Sequence, residues 1–207
     1  MSMEDVNSQF NNELQQQIDG ILPKGHTYRL GNAGCVLQSA GIPDLPIELK
    51  ALILNKKANA PRHSFRLEEI IDLPKAINNP LAVFSYGDPT KAVNIITEIT
   101  HNEKNFLVGL SLNPMVQGKK IEINEIRNVF PKDTHEWMNW IKQGKGLYFN
   151  KEKVLNLLDQ QQMTPAEVAF GLPAKQAQQG DSKPKLILSC DDIESIINIV
   201  NNFNNVK

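Results

Sequence analysis

Four histidines, His26, His63, His101 and His135, are the side chains of this 207-residue sequence that ordinarily titrate closest to neutrality. None stands three or four residues from another ligand type on a predicted helix, and no G-x-S-x-G turn is present, so neither metal ligation nor a serine triad has its spacing. What remains is metal-free acid–base chemistry, with no cofactor or metal expected. His63 is the best placed for it, at the junction between a polar loop and a helix-like run, whereas His101 falls in a hairpin turn. The competing reading is a histidine that caps or packs.

Cations are the second ingredient. Lys119, Lys120, Arg127, Lys132, Lys142, Lys145, Lys151 and Lys153 lie in one part of the chain, interleaved with Glu122, Glu125, Asp133, Glu136 and Glu152. That pattern reads either as a local anion site or as a solvated surface of mixed charge. A net charge of -1 supplies no global field to concentrate a polyanion, so nucleic-acid binding would have to rest on a local cluster.

These groups need a frame, and the stretch from Pro80 to Asn150 provides one. Leu81–Phe84, Val93–Thr100, Phe106–Asn113 and Ile121–Phe130 read as strands; in the third, Phe106, Val108, Leu110 and Leu112 alternate with Leu107, Gly109 and Ser111. Turn-forming residues make the connections short, and connections that short join antiparallel neighbours. The fold class is therefore α+β: an antiparallel sheet of four to five strands, Gly146–Asn150 being the fifth, with helices packed on one face and at the ends. A regular strand over Ile121–Phe130 would align Glu125 and Arg127 with Ile121 and Ile123. Either a bulge near Glu125-Ile126 returns both charges to water, or the pair lines a cleft.

The flanking elements follow from apolar spacing. Ser8–Leu22 reads as an amphipathic helix stopped by Pro23-Lys24-Gly25, and residues 34–40 as a helical turn. Residues 47–57 suit a strand or a helix. A helix-like run from His63 to Ile77, with Ser64 as a candidate N-cap, is shortened or kinked by Pro74. Thr134–Gln143 is helical, closed by Gly144, and its Trp137 and Trp140 either pack on the core or stack bases. Lys151–Gln162 is helical. The expected organisation is one domain over residues 1–162, a flexible linker over 163–185, and an amphipathic helix over 186–207 that either folds back or binds a partner. The widely separated Cys35 and Cys190 suggest no disulfide framework, and no membrane span or signal peptide is apparent, so a cytoplasmic protein is expected.

The order Leu30-Gly31-Asn32-Ala33-Gly34, Ala40 through Leu49, Leu54 to Lys57, His63, Leu73-Pro74, Asn79 through Phe84, Trp140-Ile141 and Gly144 to Asn150 resembles the phage MuF carboxy-terminal domain family, over roughly residues 10 to 160. The resemblance implies a domain of phages and conjugative elements, with an α+β fold related to the barnase–EndoU–RelE ribonucleases. It also implies a metal-independent ribonuclease in which the substrate's 2'-hydroxyl attacks the phosphate. On that view His63 is base or acid, Arg127 or Lys132 holds the phosphate, Glu98 or Glu125 is the partner, Lys145 binds substrate, and Tyr148 stacks or donates. The bland readings are a surface ion pair for Arg127 and a core tyrosine for Tyr148. The other function class is a non-catalytic domain that binds a protein partner through its sheet edge or last helix.

Overall fold

The computed structural model of the chain describes residues 2–61, 63–159 and 190–203. Its centre is the predicted meander: β3 (Ala82–Ser85), β4 (Ala92–His101), β5 (Lys104–Leu112) and β8 (Asn124–Lys132) pair antiparallel in sequence order. A two-stranded hairpin of β6 (Met115–Val116) and β7 (Lys119–Lys120) projects from the β5–β8 connection. The sheet is larger than four or five strands. Its order is β1-β2-β8-β5-β4-β3-β9, with β1 (Thr27–Asn32) and β2 (Pro46–Lys50) added beyond β8, and β9 (Gly146–Phe149) beyond β3. The addition depends on one parallel pairing, Ile47 to Asn124 and Glu48 to Glu125, between segments so distant that no local pattern announces it. Asn124, fully buried, reinforces that junction by donating from Nδ2 to the carbonyls of Pro43 (2.9 Å) and Leu45 (3.3 Å).

Residues 47–57 are strand and helix in succession. Ile47 and Leu49 alternate inward along β2, and Leu54 and Ala58 then face the core from α3 (Ala51–Ala58). The first helix, α1 (Met3–Ile18), starts earlier than the apolar spacing suggested. Ser2 and Asp5 form a reciprocal capping box, and after the Asp19 C-cap the chain turns at Gly20 with φ +73°. The short α2 (Cys35–Ser39) is the expected helical turn.

The run from His63 to Ile77 is not one helix. It divides into a 3₁₀ turn, Leu67–Ile70, and α4 (Leu73–Asn78), because Asp72 adopts φ 65° between them and Pro74 fits the first turn of a helix but not its interior. Ser64 caps neither piece. The Asp72 carboxylate instead accepts from Nδ2 of Asn7 and Asn11 on α1, bonds that hold its pKa below the usual carboxylate value.

Helices cover both faces of the sheet. On one, Val83, Val93, Ile95, Phe106, Val108, Leu110, Ile126 and Val129 meet Phe10, Leu14, Leu54, Ile70 and Leu73 from the amino-terminal half. On the other, Ala82, Phe84, Ile96 and Leu107 pack with Trp137, Met138 and Ile141 of α5 (Thr134–Lys142) and with helical residues 151–159 (α6). The last helix, α7 (Cys190–Asn202), buries Ile196 and Val200 in this second core, and the Phe203 ring lies 4.7 Å from that of Phe149. It therefore docks on its own domain. The expected linker at 163–185 lies outside the described residues. Among the described residues no helix is long and apolar enough to cross a membrane.

Candidate functional site

α5 covers only part of its sheet face, and beside it the sheet is left as the floor of a cleft of about 330 Å³. Arg127, Asn128, Phe130 and Lys132 from β8, Gly109 and Ser111 from β5, and Asn94 from β4 line it, with Tyr86 and Trp140 at its sides. Both tryptophans of α5 pack on the second core, Trp137 fully buried and Trp140 against the Phe84 ring at the border of the cleft.

Arg127 owes its position to a bulge. Leu110 pairs with Ile126 and Gly109 with Asn128, so Arg127 is the additional residue of β8 and the strand exchanges faces there. Both readings of Glu125 and Arg127 are thus partly realised: the bulge exists and Arg127 lines the cleft, but Glu125 is not returned to water. Its carboxylate is 4% exposed, with Arg127 Nη2 at 2.7 Å and Lys50 Nζ at 2.9 Å. Neither cation has hydrogen-bond geometry to the carboxylate, so both hold it as ion pairs, Arg127 at Oε2 and Lys50 at Oε1. The fork of Arg127 is consequently held at one end and half-exposed at the other.

Lys132 pairs with Glu136 one helical turn into α5 and has its ammonium 5.7 Å from the centre of the Trp140 ring. His63 is not part of the cleft lining but contacts Phe130, which is. Its imidazole stacks at 4.7 Å on the Phe130 ring, and Lys57 Nζ stands 6.0 Å from the centre of the same ring. Partial burial on that ring, then the ammonium groups of Lys132 and Lys104 and more weakly Lys57, hold the His63 pKa below 6.5 against the opposing pull of Glu136. At pH 7 the ring is neutral, the state in which an imidazole accepts a proton.

The structure thus gathers Arg127 and Lys132 in one cleft, sets His63 against the Phe130 ring outside its lining, and takes the other candidates elsewhere. Glu98 pairs with Lys153 in a second hollow bordered by Leu81, Asn105 and Leu157. Tyr148 pairs with Val83 and packs against the amino-terminal core, where burial raises its pKa, so it neither stacks nor donates at the cleft. Lys145 is exposed; its carbonyl accepts from Ser85 and its amide donates to Trp140, which ties the end of α5 to the strand that leads into Tyr86. His26 and His101 bond Glu13 and Glu69 instead.

Sequence reasoning missed Tyr86, Asn94 and Asn128. A signal existed for Asn94, an amide inside the apolar run Val93 to Ile96. Asn94, Gly109 and Asn128 are register partners across three strands. A Cβ on Gly109 would lie 3.2 Å from Asn128 Cβ and 3.5 Å from Asn94 Oδ1, so glycine lets the two amides lean over it. Asn94 is 8% exposed, and among the described residues neither amide has a side-chain hydrogen bond.

Residues 54–156 match the family model of the phage MuF-C-terminal domain, a span that opens in α3, closes in α6 and contains the whole cleft and His63. No curated protein and no solved structure matches the chain.

Proposed function

The chain belongs, through residues 54–156, to the phage MuF-C-terminal domain family, and from that premise we propose that it is a mobile-element effector that binds single-stranded RNA in the cleft and cleaves it without a metal, in the cytoplasm. The observation that carries this reading is the convergence of two cations, Arg127 and Lys132, on an aromatic-sided cleft, with the His63 imidazole, its pKa lowered by partial burial and nearby lysines, stacked on the Phe130 ring of the lining. Cations suit a phosphate, exposed aromatic faces suit unstacked bases, and Tyr86, 67% exposed, offers such a face.

In this reaction His63 takes the proton from a ribose 2'-hydroxyl, whose oxygen attacks the adjacent phosphorus. The P–O5' bond breaks, the 5'-oxygen leaves with a proton from water, and the products are a 2',3'-cyclic phosphate and a 5'-hydroxyl. Arg127 and Lys132 offset the charge that accumulates on the non-bridging oxygens. Arg127 suits this best, since its planar fork can engage two oxygens while Glu125 fixes its other side. Incubation of total RNA with the protein, with and without a chelator, tests the reading. Equal cleavage in both supports it; cleavage only without chelator, or none in either, removes it.

A further inference from the structure

Resting on that RNA reading and extending it, we infer that Asn94 and Asn128 are a base-reading pair: the cleft takes a nucleobase whose hydrogen-bonding edge lies over Gly109. Asn94 is a primary amide more than nine-tenths buried on the cleft floor without a hydrogen-bond partner among the described residues. No protein group therefore competes with a ligand for the donors and acceptor of this amide. Its atoms are not sealed off, because they line an open cleft.

The pair has the form a base edge requires. Asn94 Oδ1 and Asn128 Nδ2 lie 3.5 Å and 3.4 Å from the same point above Gly109, an acceptor and a donor converging from the strands on either side of β5 with no side chain between them. Nucleobase edges present neighbouring donors and acceptors, and an amide meets both at once. Phosphate offers only acceptors and would leave Asn94 Oδ1 unsatisfied. The surrounding surface is also right for a planar heterocycle: Tyr86, Phe130 and Trp140 are part of the lining, and Arg127 and Lys132 stand at the β8 side, where the phosphate of the same nucleotide would be held.

Titration of the full chain with adenosine, cytidine, guanosine and uridine 5'-monophosphates, and with ribose 5-phosphate, tests this directly. At least one nucleotide should bind about tenfold or more tightly than ribose 5-phosphate. Asn94→Ala should weaken that nucleotide by about three- to tenfold, the value of one hydrogen bond to a neutral group, with ribose 5-phosphate unchanged. Asn128→Ala, at a less buried position, should do the same and guards against a folding defect at Asn94. Four nucleotides that bind no better than ribose 5-phosphate would overturn the inference, as would variants that lose both kinds of ligand equally or neither. The outcomes separate from those of the cleavage reading: base-selective binding without RNA cleavage keeps this inference and removes the ribonuclease, while cleavage with no base selectivity does the reverse.

Discussion

Glu125→Gln is the perturbation that best probes how the cleft is built. The substitution keeps the shape and one acceptor but removes the charge that Arg127 and Lys50 share. An ion pair between a buried carboxylate and a half-exposed guanidinium contributes about 1 kcal/mol, which the neutral amide would forfeit. Lys50 adds at most about 0.5 kcal/mol, since its side chain is 57% exposed and solvent screens it. A loss of about 1–1.5 kcal/mol corresponds to a melting temperature lower by about 3–6 °C in a chain of this size. Arg127→Ala should cost about 2 kcal/mol, because it leaves a buried carboxylate with only the more exposed Lys50 as a counter-charge. In urea unfolding, the double variant should be less unstable than the sum of the two by about 1 kcal/mol. Effects that add to within about 0.3 kcal/mol would show that the two side chains do not support one another, and the account of how Arg127 is aimed would fail.

Three further outcomes follow from the same geometry. Asn124→Ala should destabilise the chain by about 1–3 kcal/mol in urea unfolding, since it removes the two hydrogen bonds that Nδ2 donates to the Pro43 and Leu45 carbonyls at the β2–β8 junction; an unchanged midpoint would contradict this. The Asp72 carboxylate, its pKa lowered by Asn11 and Asn7, contributes stability that is present above pH 3.8 and lost as pH falls through its lower folded value. The melting gap between wild type and Asp72→Ala should therefore narrow as pH drops below 3.8, and a gap that widens there would refute the assignment. For His63, whose folded pKa is below 6.5, the acid limb of RNA cleavage should have its midpoint below pH 6.5, and a midpoint above it would place the proton on another group.

Local pattern was enough wherever local physics decides the structure. The alternation in Phe106 to Leu112 and the short turns around it define the antiparallel meander, and Asp133 with Gly144 bounds α5 within a residue or two of the expected ends. Non-local pairing was not legible. Nothing in Ile47-Glu48 signals that it lies beside Asn124-Glu125, and that pairing adds two strands. The same holds for the site. Arg127 was readable as a cation on a strand and Lys132 as one just past its expected end, whereas Glu98 and Tyr148 were chosen by residue type and are carried to a different hollow and the opposite core by the sheet register. Asn94 and Asn128 acquire meaning only when the register sets them on either side of Gly109.

The most direct test of the central claim is a comparison, in excess chelator, of an RNA oligonucleotide with a DNA oligonucleotide of matching sequence, the product ends being assayed for cyclic phosphate. The account predicts that the RNA is cut to 2',3'-cyclic phosphate ends, that the DNA stays intact, and that His63→Ala lowers the rate by about a hundred- to ten-thousand-fold with its melting temperature unchanged. Intact RNA, cleavage of both strands, or a His63→Ala variant that cuts at the wild-type rate would contradict it.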